Sequence, residues 1–184
     1  MTRETDEFIP LRDRTKFANE KKADVFVSIH ANSIEGNKKK DATRGYKVYF
    51  LSEAKNEEDK LAAMRENAVI QLEEHAQQHY GNVQNILIDM VGNEYLRESQ
   101  DLSITIDEVF NSSLLKIEKL NLGIGQANFW VLNGTFMPSV LIEVGFISNP
   151  REEKTLKDEA FQTTMASAIC DAILQFKKKM ESAR

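Results

Sequence analysis

Asp24-Val25-Phe26-Val27-Ser28-Ile29-His30-Ala31-Asn32-Ser33 decides the fold, because an apolar, β-branched run breaks off there in a histidine and an asparagine. Val25, Phe26, Val27 and Ile29 read as a strand covered on both faces in a parallel or mixed sheet. His30 then stands at its carboxyl end, the edge of an open α/β sheet where ligands and catalytic groups collect. Neutral imidazole is the commonest metal ligand, so His30 is a candidate metal-binding residue. Asn32, just beyond it, has two readings: a polar contact to a substrate, or a residue that shapes the turn.

A second apolar run, Pro138-Ser139-Val140-Leu141-Ile142-Glu143-Val144-Gly145-Phe146-Ile147-Ser148-Asn149-Pro150, is interrupted by one carboxylate. A carboxylate does not stay buried without a metal, a charge partner or several hydrogen bonds to offset its desolvation. Glu143 is therefore a candidate catalytic residue; the plain alternative is a strand that ends at Ile142 and turns Glu143 to water.

Around these two strands the rest of the pattern is α/β: a mixed, largely parallel sheet flanked by helices. Helices are expected at residues 10–22, with Leu11, Phe17 and Ala18 inward, and at 59–79, with Leu61, Met64, Ala68 and Leu72 at helical spacing. Residues 45–51 alternate in a way that suits a strand near a sheet edge, Gly123-Ile124-Gly125 reads as a turn, and 127–132 reads as a strand. Asn149 and Pro150 open a short helix, with Glu152 placed to reach back to its cap. Phe161, Met165, Ala168, Ile169, Ala172, Ile173 and Phe176 mark the last helix, which closes on Lys177, Lys178 and Lys179.

The 184 residues suit one domain, and the net charge of −5 argues against broad nucleic-acid binding. Lys38, Lys39 and Lys40 read as a solvated loop. Cys170 has no partner for an internal disulfide and reads as a small core side chain. His75 and His79 stand at i and i+4, a spacing that can clamp a metal, but Ala76 replaces the glutamate of the H-E-x-x-H pattern, and a solvated pair is the simpler reading. No stretch reaches the length of a membrane span. Residues 81–120 exceed the connection the fold needs; the apolar stripes through Leu87, Val91, Tyr95, Leu102, Ile106, Phe110, Leu114 and Ile117 suggest a helical insertion, serving either core packing or as a lid or docking surface for an activating protein.

The stretches Thr2-Arg3-Glu4-Thr5-Asp6, Phe17-Ala18-Asn19, 24–32 and 137–149 together resemble the zinc-dependent N-acetylmuramoyl-L-alanine amidases of the amidase-3 type. The resemblance runs in order from Thr2 to about Phe176, and S-I-H-A-N with V-L-I-E-V-G-F-I-S-N is specific as a pair. It implies a Zn2+ ligand at His30, the catalytic carboxylate at Glu143, and hydrolysis in peptidoglycan of the amide between N-acetylmuramic acid and L-alanine. It also implies a G-H-G-G-type histidine and a following glutamate that complete the zinc set on segments before the T-R-x-x-D motif. That motif begins here at Thr2, so the expectation is an incomplete catalytic domain lacking the family's first two strands and first helix. The full-length protein is then expected in the cell envelope or periplasm, although this chain carries no export signal. The alternative is a catalytically silent peptidoglycan-binding or regulatory module without a complete zinc site.

Overall fold

The computed structural model describes residues 1–34, 42–73, 95–113 and 120–182. His75, His79, Lys38 to Lys40, Leu87, Val91, Leu114 and Ile117 lie outside the described residues.

Four strands form one sheet: β1 (Phe26–Asn32), β2 (Tyr46–Leu51), β3 (Asn121–Ala127) and β4 (Ser139–Phe146), in the order β1-β4-β2-β3. The helices are α1 (Leu11–Glu20), α2 (Glu57–Asn67), α3 (Leu96–Ser113), α4 (Pro150–Leu156) and α5 (Glu159–Ser182). The α/β class, with a mostly parallel sheet flanked by helices, is as the sequence implies. Backbone bonds at both ends set β1 parallel to β4: Phe26 N–H donates to the Pro138 carbonyl at 2.9 Å, and Ile147 N–H to the Asn32 carbonyl at 2.8 Å. Tyr46 N–H to Leu120 and Ser52 N–H to Ala127 do the same for β2 and β3.

Position in the sheet decides burial. β4 and β2 are interior strands and are buried along their whole lengths. β2 lies next to the outer strand β3, but it lacks the polar face its alternation suggested; even Lys47 is buried. β1 borders the described sheet and is not covered on both faces: Phe26, Ser28 and Asn32 are buried, whereas Ile29 is 57% exposed. An edge strand with one packed face shows the period-two pattern of the pleat whatever its composition. Gly123, Ile124 and Gly125 are strand rather than turn, and the expected strand at 127–132 instead holds a 3-10 turn, Trp130–Leu132. Pairing of the 121–127 backbone with β2 outweighs the weak β-propensity of its glycines, and the bulky Phe129, Val131 and Leu132 fill the core from the turn.

Contacts cluster into two units, and the boundary falls inside every strand: residues 1–28, 50–99 and 125–140 form the first, and 29–49, 100–124 and 141–184 the second. In the first, α1 has no side-chain cap from Pro10; Leu11 N–H donates instead to Glu73 Oε1 at 2.8 Å. Asn19 ties α1 to the chain before β4, donating to the Gly134 carbonyl and accepting from Phe136 N–H. Arg14 donates to the Ile9 carbonyl, and burial lowers its pKa. Phe17 is exposed rather than inward, with Lys21 Nζ 5.7 Å from its ring centre. The largest departure is α2. It ends at Asn67, runs into a 3-10 turn, Ala68–Leu72, and buries Asp59, Ala62 and Ala63, leaving Leu61, Met64 and Leu72 exposed. Alanines let the helix approach closely, and Asp59 is held by Asn56 Nδ2 at 3.0 Å and by Gln126 N–H.

In the second unit, Tyr46 meets Phe110 edge-on, ring centres 5.1 Å apart, and α3 buries Leu102, Ile106 and Phe110, so this part of the stripe packs into the core. α5 buries Phe161, Met165, Ala168, Ile169, Ala172 and Phe176 as its period requires. Cys170 is exposed and is not a core side chain, because it falls on the outer side of that stripe. Asn149 caps α4 as expected, accepting from Arg151 and Glu152 N–H groups. The Glu152 carboxylate accepts from Gly45 N–H at 3.0 and 3.1 Å and from Phe146 N–H at 2.8 Å, tying the start of α4 to the entry of β2 and the end of β4. Gly45 has φ +119°, and a Cβ there would stand 2.3 Å from the Leu120 carbonyl oxygen, so only glycine lets β2 begin against this neighbour. No described helix is long and apolar enough to cross a membrane.

Candidate active site

Parallel pairing of β1 and β4 is what brings the two sequence-marked residues together. The Phe26 to Pro138 and Ile147 to Asn32 bonds bracket the pairing and set His30 alongside the stretch of β4 that carries Glu143. His30 is half-buried near the carboxyl end of β1. Glu143 lies within β4, whose strand continues to Phe146, and is 1% exposed, so it does not turn to water. A carboxylate held this deep by an interior strand requires a compensating partner.

His30, Glu66 and Glu143 form a group whose ligand atoms, one imidazole nitrogen and two carboxylate oxygens, all lie within 4.8 Å of one another. Glu66 was missed from the sequence. It lies in the last turn of α2, where the apolar spacing of Leu61, Met64, Ala68 and Leu72 assigns it to a solvent face. Because the structure turns Ala62 and Ala63 inward instead, that assignment does not hold, and no local pattern distinguishes Glu66 from the acidic residues around it. Asn32 does not form a turn: it closes β1, buried, with its carbonyl accepting from Ile147 N–H. Beside it, Ser148 Oγ accepts from Ile34 N–H at 3.1 Å, and Asn149 Nδ2 donates to the Thr43 carbonyl at 3.0 Å. These bonds tie Ile34 and Thr43 to residues 148 and 149, at the strand ends nearest His30.

The chemistry open to such a group is that of a cation held by mixed nitrogen and oxygen donors, with a buried carboxylate able to accept a proton.

The profile of a family described as N-acetylmuramoyl-L-alanine amidase matches residues 1–175. The amidase AmiC of Neisseria meningitidis is 34% identical over 179 residues, spanning 96% of this chain and 41% of the relative. AmiA of Escherichia coli is 31% identical over 186 residues, spanning 96% of this chain and 60% of the relative. The chain thus spans about half the length of these curated relatives. Among solved structures, the catalytic domain of the amidase CwlV from Bacillus (Paenibacillus) polymyxa var. colistinus superposes with a TM-score of 0.64 at 29% identity, covering 96% of this chain and 70% of that one. By its match over nearly its whole length, the chain belongs to the N-acetylmuramoyl-L-alanine amidase family.

Proposed function

We propose that this chain carries the zinc-dependent hydrolytic centre of a cell-wall amidase that cleaves the amide between N-acetylmuramic acid and L-alanine in peptidoglycan. The observation that carries the reading is the convergence of His30, Glu66 and Glu143. The donor set fits zinc: the metal takes imidazole nitrogen and carboxylate oxygen, and the three ligand atoms lie within 4.8 Å of one another. His30 and Glu66 would hold the ion together with the histidine and glutamate that the family resemblance implies on other segments. When bound, zinc supplies Lewis acidity that polarises an amide carbonyl and lowers the pKa of water towards ~7. Glu143 acts on protons: its buried carboxylate takes one from the attacking water and delivers it to the leaving amine. Peptidoglycan as substrate places the working protein in the cell envelope.

Two measurements on the full chain test this reading: zinc affinity by competition with a chromophoric chelator, and release of new amino termini from purified peptidoglycan. Glu143→Gln should lower amide cleavage by about 100-fold or more, and His30→Ala should abolish tight zinc binding, with both variants melting cooperatively. Undiminished cleavage by Glu143→Gln would remove the catalytic assignment. Zinc and wall binding without cleavage in the unmodified chain would instead favour a silent wall-binding module.

A further inference from the structure

Glu66 comes from the last turn of a helix whose larger apolar residues face water, so burial of apolar surface does little to fix where that turn sits. What fixes it is polar. At the start of α2, Asn56 caps the helix through Asp59 N–H, and the Asp59 carboxylate accepts from Gln126 N–H at the end of β3. At the far end, the Asn67 side chain makes a two-bond bridge to the segment after β3: Nδ2 donates to the Asn128 carbonyl at 2.8 Å, and Oδ1 accepts from Trp130 N–H at 2.9 Å. The primary amide thus bonds two main-chain groups of the segment that leads into the 3-10 turn.

Neighbouring residues on a helix point about 100° apart, so Asn67 can hold the 128–130 segment while Glu66 projects in another direction. Resting on the metal-centre reading above, we propose that Asn67 is a positioning residue for that centre: its bridge to Asn128 and Trp130 fixes the last turn of α2 and thereby keeps the Glu66 carboxylate beside His30 and Glu143. Asn67 touches neither metal nor substrate. Its contribution is preorganisation, since a ligand that must be ordered on binding lowers affinity.

Zinc alone is the probe. Zinc affinity of the full chain is measured by chelator competition for Asn67→Ala, Asn67→Asp, Glu66→Gln and the Asn67→Ala/Glu66→Gln pair, with thermal melting beside each. Asn67→Ala should weaken zinc binding about tenfold, as expected for loss of a supporting interaction. Asn67→Asp keeps the acceptor for Trp130 N–H and should fall between alanine and the unmodified chain. The double variant should bind like Glu66→Gln, because the bridge acts only through that carboxylate. Equal affinity for Asn67→Ala and the unmodified chain overturns the proposal. So does an additive double variant, which would mean that Asn67 acts through general stability. If Asn67→Ala does not melt cooperatively, the decision passes to Asn67→Asp: zinc affinity equal to the unmodified chain refutes the role. His30→Ala separates the two levels of argument, since unchanged zinc binding there would remove the metal centre itself.

Discussion

At the scale of single residues, Asp107 shows how position alone changes a carboxylate. It sits on α3 beside Asn111, whose Nδ2 donates to its Oδ2 at 3.3 Å, while its Oδ1 is buried with no hydrogen-bond partner among the described residues. Burial pushes its pKa up, the hydrogen bond from Asn121 pulls it partly back, and Glu108 adds repulsion. A raised native pKa means that the folded state holds the proton more tightly than the unfolded one. The stabilisation is complete below the unfolded value of ~3.9 and is lost as pH rises through the higher native value. Asp107→Asn should therefore raise the melting temperature at pH 7 and lose that advantage below about pH 4. Melting curves at the two pH values check this; equal shifts at both would mean that charge is not the cause. The same neighbourhood raises the pKa of Tyr46, mainly by burial and then through Asp107.

At the scale of elements, Glu152 does more than a helix-capping residue can. Its carboxylate gathers main-chain N–H groups from the entry to β2 and from the end of β4, while its own N–H is capped by Asn149. Hydrogen bonds to a charged acceptor are worth about 1.5–3 kcal/mol each in net terms, and orphaned buried donors add to the cost of losing it. Glu152→Ala should destabilise the chain by about 3 kcal/mol or more, whereas Glu153→Ala, one residue on and salt-bridged to Lys157 at the surface, should cost little. Urea unfolding of the two variants checks the contrast, and equal midpoints would show that the Glu152 bonds do not hold these strand ends. Capping at Asn149 and Pro150 was legible from the sequence because a cap is local. The bond from Gly45 to Glu152 was not, because Gly45 lies far away in the chain.

At the scale of the whole molecule, the sheet presents β1 and β3 as the outer strands of the described residues, and both carry exposed apolar side chains, Ile29 on β1 and Ile124 on β3. An outer strand with an exposed, β-branched face is a template for pairing with another chain. Ile29→Lys should reduce self-association of the chain in sedimentation velocity while leaving its melting temperature within a few degrees, as an exposed position allows. Association unchanged by that substitution would move the contact elsewhere.

The sequence by itself determined the α/β class, the strands carrying His30 and Glu143, the cap at Asn149 and the buried stripe of α5, because each is written in a local period or a local exception to one. Glu143 stands out for the same reason: one carboxylate in an apolar strand is visible without knowing its neighbours. Only the tertiary structure decided that β2 is interior, that α2 packs through alanines and leaves Leu61 and Met64 exposed, and that Glu66 meets His30 and Glu143. These follow from which strands pair and which face of a helix the sheet accepts. Such choices are set by contacts between residues far apart in the chain, where periodicity carries no information.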